Sequence, residues 1–258
     1  MSLCEVLAST LSDDSPHKMG AGACGTIYAP VTVKMGQREP PTVVLKRGDG
    51  DPARSLRNDH LMHRTLLSAS AEDHFQKPRF AIPRCYEFID AKMAKSQGLP
   101  GRILALFPEP YDTLITGKIP SLPQPAQECL TEQYCPESKK SAIKPTDPNW
   151  LVRPYLGRRR ERPSAFFRLR NFGLCADQME ELGVDMDGYT QGLAESLAFL
   201  HWAAEIDAED VEFVLAPRRT SPDDTTKSFH SASLGDHALW ILDFDGCHRM
   251  TMDGDGIE

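Results

Sequence analysis

Ala204-Glu-Ile-Asp-Ala-Glu-Asp-Val-Glu-Phe-Val-Leu215, followed later by Trp240-Ile-Leu-Asp-Phe-Asp245, is the part of the sequence that decides the predicted fold. Each segment joins carboxylates to a short apolar run, which is typical of a buried strand. A helical pattern precedes the first segment, and a polar stretch separates the two. We therefore expect a helix, an acidic turn and two strands whose carboxylates meet at one edge.

Carboxylates in this layout suit the transfer of a phosphoryl group. Such a site needs an Asp that deprotonates the attacking hydroxyl, an oxygen ligand for Mg²⁺ five residues later, and a carboxylate on the next strand for the metal that bridges the phosphates. Asp207, Glu212 and Asp243 stand at these places, and Asp245 is a further candidate metal ligand. The alternative is a water-exposed acidic helix end, which the apolar run from Val211 to Leu215 disfavours.

A glycine-rich segment near the amino terminus contains Gly20, Gly22 and Gly25 and runs into the β-favouring Thr26-Ile-Tyr28. Glycines at this spacing let a hairpin turn sharply and bring backbone N–H groups close to phosphate oxygens. A plain turn is the alternative, since the motif alone is not specific. Because a strand follows, instead of the helix that a dinucleotide-binding motif requires, we expect a glycine flap over phosphates.

Lys46 lies at the end of the strand-like run Pro40-Pro-Thr-Val-Val-Leu45. A lysine on the strand next to a glycine hairpin can reach the phosphates of a nucleotide. A solvated lysine at a strand end is the alternative. The helical pattern that follows places Asp59 as the candidate ion-pair partner of Lys46.

Composition limits the possible partners. With 258 residues, 40% of them apolar and 26% charged, the chain can bury one large core or two lobes. The net charge of −8 argues against a broad nucleic-acid surface or an anionic-membrane surface.

The sequence has neither a secretory signal pattern nor the ~20 consecutive apolar residues of a membrane helix. We expect a cytoplasmic protein; the basic run Gly157-Arg-Arg-Arg-Glu-Arg-Pro163 leaves a nuclear location or a phosphate contact open beside a solvated turn.

Cysteine usage indicates reduced thiols. The seven cysteines are an odd number without a Cys-x-x-Cys pair, which disfavours a disulfide framework. A zinc site would have to use Cys129, Cys135, His60 and His63, whose spacing matches no zinc finger or knuckle. We therefore expect buried thiols and surface histidines rather than zinc.

The order of these features resembles the superfamily of protein kinases and aminoglycoside phosphotransferases. Several segments are more closely similar to a fungal family of unknown function whose members carry a generic zinc-finger label. These segments are Pro83-Arg-Cys-Tyr-Glu-Phe-Ile89, Val152-Arg-Pro-Tyr-Leu-Gly-Arg-Arg-Arg160, Gln178-Met-Glu-Glu-Leu182 and Ala198-Phe-Leu-His-Trp-Ala-Ala-Glu-Ile-Asp207. Together they extend the resemblance over nearly the whole chain.

The resemblance implies an α+β, bilobal, kinase-like fold. Residues 1–113 would form a small amino-terminal lobe of five strands and one helix, with Ala81–Ile89 and Arg102–Phe107 as its last strands. Residues 114–258 would form a partial, helical carboxy-terminal lobe containing a variable loop at 114–148. The segment Phe107–Tyr111, with Glu109 at its centre, would be the hinge that holds adenine, although its two prolines lack N–H donors.

ATP and Mg²⁺ are the cofactors that the resemblance implies, but three departures matter. Glu212 stands where kinases have Asn, and Asp207 is preceded by Glu-Ile rather than by the usual His-Arg or His-Gly. The sequence also ends soon after Asp245, where the superfamily continues through several helices. The resemblance therefore implies a truncated product, a fragment, or a protein whose partner completes this lobe.

The altered metal ligand, the proline hinge and the early end favour a degenerate kinase-like fold that binds nucleotide weakly or not at all and acts as a regulatory or binding module in a fungal cell. The alternative is an active ATP-dependent phosphotransferase that acts on a small-molecule or protein hydroxyl, with Asp207 as its base. A zinc-binding regulatory protein is a third hypothesis.

Overall fold

The computed structural model of the chain describes residues 18–28, 43–72, 79–92, 111–141, 143, 149–160, 167–168, 170–219, 226–251 and 253. Within these residues the chain forms two five-stranded sheets, five α-helices and one π-helical turn. The expected α+β class is therefore confirmed. No helix in this part of the chain combines the length and the apolar character needed to cross a membrane.

The first sheet contains the glycine-rich segment and is antiparallel throughout, in the spatial order β1-β2-β3-β5-β4. Val43 and Leu45 alternate with less buried neighbours, as expected for a strand with one face on the core. Helix α1 packs on β4 and β5. These elements are β1 (Lys18–Ala21), β2 (Thr26–Tyr28), β3 (Val43–Arg47), α1 (Leu56–Ser70), β4 (Cys85–Ile89) and β5 (Thr113–Gly117).

Strand β5 corrects the expected domain organisation. It lies between β3 and β4 and pairs with β3 along its whole length, from Val43 opposite Gly117 to Arg47 opposite Thr113. Residues 114–117 therefore belong to the first sheet and not to a variable loop over 114–148. The strand predicted at Arg102–Phe107 and most of the predicted hinge, including Glu109, lie outside the described residues.

Two helices follow β5 within residues 114–148, where the sequence predicts a variable connection with one short helix at Pro125–Tyr134. Helix α2 (Gln124–Tyr134) has a proline in its first turn, where the missing N–H is tolerated. Its Ala126 and Leu130 are fully buried. The short helix α3 (Glu137–Lys140) comes next.

The second sheet forms the centre of the other half of the chain, in the order β7-β6-β8-β10-β9. Strands β6 and β7 are parallel, and the other pairs are antiparallel. This half therefore combines helices with a five-stranded sheet, and two of its strands, β8 and β10, lie at the apolar runs that the sequence predicted to be strands. The strands are β6 (Val152–Tyr155), β7 (Phe172–Cys175), β8 (Glu212–Ala216), β9 (Phe229–Ser231) and β10 (Gly235–Leu242).

Helices α4 (Ala176–Glu181) and α5 (Met186–Ala198) belong to this half, and the π-helical turn Phe199–Ala203 extends α5. Asp185 caps α5, since its carboxylate accepts the N–H of Gly188 at 2.8 Å. The core between these helices and the second sheet is aromatic and aliphatic. Its largest side chains include Trp150, Tyr189 and Phe244, each at most 1% exposed.

Candidate functional site

A cavity of about 310 Å³ lies between the two sheets. This volume is at the lower end of the range for small-molecule sites. The glycine-rich hairpin, Lys46 and Asp59 line it from the first half, and Glu212 and Asp243 line it from the second. Glu212 lies opposite Leu242 in the β8–β10 pair, which brings it next to Asp243.

Lys46 is the residue on which the two halves converge. Its Nζ lies 2.7 Å from Asp59 Oδ2 and 2.6 Å from Asp243 Oδ1. The Lys46 side chain is 15% exposed, and that of Asp59 is 5% exposed. Burial lowers the pKa of Lys46, but the two carboxylates outweigh burial and hold this pKa above its ordinary value. The ion pair with Asp59 that the sequence predicted is therefore present, and the ammonium group stays charged.

Asp243 reaches Lys46 because the chain turns sharply after β10. Its φ of +68° is unusual for a residue with a side chain. The next residue holds this turn, since the N–H of Phe244 donates to Asp59 Oδ1 at 3.4 Å and its ring packs on His63 with centroids 5.0 Å apart. Such a conformation costs on the order of 1–3 kcal/mol and persists only where surrounding contacts enforce it.

Asp245 lies behind Asp243 and is 3% exposed in its side chain. Its Oδ2 lies 3.5 Å from Arg54 Nη1. Burial, together with the hydrogen bond to Asp243 and the negative charge of Asp243, raises the pKa of Asp245 to about 6. Burial also acts on Asp243, but the Lys46 ammonium and the hydrogen bond from Asp245 hold the pKa of Asp243 below its ordinary value. On acidification, the proton therefore binds Asp245 first.

Glu212 is held by an arginine that the sequence analysis missed. Arg153, on the neighbouring strand β6, places its Nη2 2.5 Å from Glu212 Oε2. Burial raises the pKa of Glu212, and Arg153 opposes that rise. Arg153 also lines the cavity, and its Nε is buried without a hydrogen-bond partner among the described residues. The sequence signal that could have identified Arg153 is its charge within the strand-like run around Val152.

The predicted ligands Glu212, Asp243 and Asp245 do not form a metal site in this arrangement. Mg²⁺ needs oxygen ligands at about 2.1 Å in near-octahedral geometry, so ligand atoms must converge closely. Among the His, Cys, Asp and Glu side chains that the structure describes, only one group brings three ligand atoms within 4.8 Å of one another: Asp207, Glu209 and His248. Asp243 and Glu212 are instead bound by Lys46 and Arg153. A Mg²⁺ ion bound to these two carboxylates would have to displace Lys46 and Arg153 from them.

The four residues considered for zinc are not gathered either, since none belongs to that group. His63 Nε2 lies 2.8 Å from the carbonyl oxygen of Pro83. His60 stacks on Phe88 with ring centroids 5.4 Å apart. Cys129 and Cys135 are free thiols at helix α2 and its end.

Asp207, the predicted base, is not among the residues that line the cavity. Its Oδ1 accepts the N–H of His248 at 2.9 Å and that of Glu209 at 3.1 Å. These bonds tie the acidic turn to the segment after β10. Asp210 lines the cavity instead, and its Oδ2 accepts a hydrogen bond of 2.6 Å from Arg54.

The three glycines have different roles. A Cβ at Gly25 would lie 1.8 Å from the carbonyl oxygen of Arg47, so β3 requires glycine there. A Cβ at Gly20 or Gly22 would have no other atom within 4 Å. Both line the cavity, although the Gly22 N–H donates to the carbonyl of Gly25 at 2.8 Å and is used within the hairpin. Gly25 thus shapes the hairpin, while Gly20 and Gly22 leave room beneath it.

The segment that leaves the first sheet also contacts the cavity. Strand β5 ends at Gly117, and Gly117, Lys118 and Ile119 all line the cavity wall. A connection between the two sheets thus lies at residues 117–119, further along the chain than the hinge predicted at Phe107–Tyr111.

The arginines of the basic run are bound within the molecule. Arg159 pairs with Glu180, and Arg160 pairs with Asp177 at 2.5 Å and with Glu181 at 2.9 Å. These pairs neutralise Arg159 and Arg160 on the surface of helix α4, while the exposed Arg158 lies over the Tyr155 ring with its Cζ 5.7 Å from the centroid. The pairing of Arg159 and Arg160 favours the solvated-turn interpretation for these two arginines.

Comparisons of the chain with protein-family models, with curated proteins and with solved structures gave no match. The function is therefore inferred from the geometry of the cavity and from the sequence patterns of its lining residues.

Proposed function

We propose that this protein is a kinase-like nucleotide-binding module whose cavity holds the phosphates of ATP. One observation carries the proposal: Lys46, on a strand beside the glycine hairpin, is held between Asp59 from helix α1 and Asp243 from the end of β10. In protein kinases, a strand lysine and a helix acid must pair before the phosphates are positioned.

The surroundings of Lys46 support the same proposal. Gly20 and Gly22 leave open space on the cavity wall, which suits a flap over phosphates. The apolar side chains of Val44, Leu114 and Leu151 line the same cavity and would pack against a nucleobase. The cavity thus offers both charged and apolar side chains, which recognition of a nucleotide requires.

Binding without catalysis is the favoured form of the proposal. A phosphotransferase needs a base at the attacking hydroxyl. Asp207 does not line the cavity, and Asp210, which does, is paired with Arg54. Glu212, at the position of a metal ligand, is neutralised by Arg153. A module of this kind would act through the conformation that nucleotide binding stabilises.

Thermal unfolding with and without ATP tests this proposal. Millimolar ATP should raise the melting temperature, because a ligand that binds only the folded state stabilises it. Lys46→Met should remove that rise, whereas the exposed control Lys92→Met should retain it. If the unmodified protein shows no rise at millimolar ATP, the proposal is wrong.

Active phosphotransfer is a second candidate, and the position of Asp210 favours it. This carboxylate lines the cavity together with Glu212. In this scheme an acceptor hydroxyl attacks the γ-phosphorus, the bond to the β-phosphate oxygen breaks to release ADP, and Asp210 takes the hydroxyl proton. The test is transfer of labelled γ-phosphate to water or to added hydroxyl compounds, with Asp210→Asn expected to abolish it.

A further inference from the structure

We infer that Arg153 takes the place of a divalent metal ion, so that the cavity binds the phosphates of a nucleotide without metal. This inference rests on the proposed function and specifies how the same cavity recognises its ligand. It differs from the metal-dependent binding that the sequence pattern predicted.

Arg153 is positioned to serve as this cation. It projects from β6 beside Glu212, with 2.5 Å between Nη2 and Oε2, and its side chain is 25% exposed. Arg153 and Glu212 both line the cavity. The guanidinium therefore lies beside the residue that the sequence predicted to be a metal ligand.

The unused donor of Arg153 points to an anionic ligand. A guanidinium carries five N–H donors and no acceptor. Its Nε is buried and has no hydrogen-bond partner within the described part of the chain. A buried donor without an acceptor costs roughly 1–3 kcal/mol, and a ligand oxygen that reached Nε after rotation of the Arg153 side chain would remove that cost. Phosphate suits this role because arginine binds its oxygens through a planar fork of donors.

The carboxylates near Arg153 are not free to bind a metal. Lys46 holds Asp243 at 2.6 Å, and Arg153 holds Glu212 at 2.5 Å. A divalent cation would have to displace both cationic groups and then remain close to them, which like-charge repulsion opposes. A phosphate chain would meet Lys46 and Arg153 together with Lys118 and Arg170 of the same cavity lining, and these four charges balance those of Asp59, Asp210, Glu212 and Asp243. Neither Lys46 nor Arg153 has to leave.

The experiment compares nucleotide affinity with and without metal by isothermal titration calorimetry of the full chain with ATP. One titration contains excess EDTA, and the other contains millimolar Mg²⁺. We expect dissociation constants that agree within about threefold. Arg153→Gln should weaken binding in EDTA by at least about tenfold, as expected for loss of a charge-assisted hydrogen bond. The control Arg158→Gln changes an exposed arginine of the same segment and should bind like the unmodified protein.

A second variant keeps the test decisive if Arg153→Gln does not fold. Glu212→Gln removes the charge that holds Arg153, so metal-free affinity should stay equal or increase. Loss of metal-free binding in Glu212→Gln would overturn the inference.

The outcomes separate the inference from the proposed function. Binding that appears only with Mg²⁺ would overturn the role of Arg153 and leave nucleotide binding in place. An absence of binding in both titrations would overturn both.

Discussion

Lys46 and Asp243 lie 197 residues apart in the chain and join the two sheets through an ion pair of 2.6 Å between Nζ and Oδ1. The same ammonium binds Asp59 at 2.7 Å, so one cation holds two carboxylates in a largely buried position. The relative position of the two sheets at the cavity therefore depends in part on this lysine.

Replacing Lys46 with methionine should destabilise the protein. The change leaves Asp59 and Asp243 close together without their cation, and breaking a buried ion pair in this way costs roughly 3–5 kcal/mol. We expect a value at or below the lower end of that range, because the Asp243 side chain is 32% exposed. Urea unfolding measures the loss. Adding Asp59→Asn to the variant should recover part of it, and strict additivity of the two changes would contradict this account.

The glycine hairpin should respond differently at two of its positions. Gly25→Ala places a Cβ 1.8 Å from the carbonyl oxygen of Arg47. It should lower the free energy of unfolding by about 1–3 kcal/mol, as overpacking does. Gly22→Ala enters open space and should change this free energy by less than about 0.5 kcal/mol. Equal effects of the two substitutions would show that the hairpin does not pack on β3 as described.

Asp245→Asn should stabilise the protein at neutral pH but not in acid. Since burial and Asp243 raise the pKa of Asp245 to about 6, its ionisation is unfavourable in the folded state. The stability associated with its protonated form is present below the unfolded pKa, near 3.9, and is lost as the pH rises through about 6. The gain from asparagine should therefore be complete above pH 6 and fade between pH 6 and about 4. Melting temperatures across this range measure it, with the exposed Asp187→Asn as control; a gain independent of pH would contradict the assignment.

Asp207 and Asp243 should have separable roles. Asp207→Asn weakens two hydrogen bonds from backbone N–H groups and should cost roughly 0.5–1.5 kcal/mol of stability. Because Asp207 does not line the cavity, the rise in melting temperature with ATP should remain. Asp243→Asn should reduce that rise, since it removes a carboxylate that orients Lys46. If Asp207→Asn alone abolished the rise in melting temperature with ATP, Asp207 would belong to the binding site.

Part of the fold was accessible from local sequence patterns. Alternating or continuous apolar runs predicted β3 and β8, and glycine spacing followed by a β-branched run predicted the hairpin before β2. The spacing of apolar residues and the residue preferences of turns reflect interactions between residues close in sequence. This is why these elements could be predicted. The pairing of Lys46 with Asp59 belongs here as well, because only a short turn separates β3 from helix α1.

Strand Thr113–Gly117 shows what local patterns could not supply. Its β-branched sequence suits a strand, but its interior place depends on pairing with β3 and β4, both earlier in the chain. The sequence analysis placed the last strand of this lobe at Arg102–Phe107, which lies outside the described residues. Local propensity does not fix the place of a strand in a sheet, because that place depends on pairing with its neighbours.

The sequence alone determined that a glycine hairpin, a strand lysine and several acidic strand ends are present in this order. Tertiary structure alone decided their partners: Lys46 binds Asp243, Arg153 binds Glu212, and Asp207 binds the segment after β10 instead of lining the cavity. The physical reason is that an ion pair forms between neighbours in space. Strand order, and not distance along the chain, sets those neighbours.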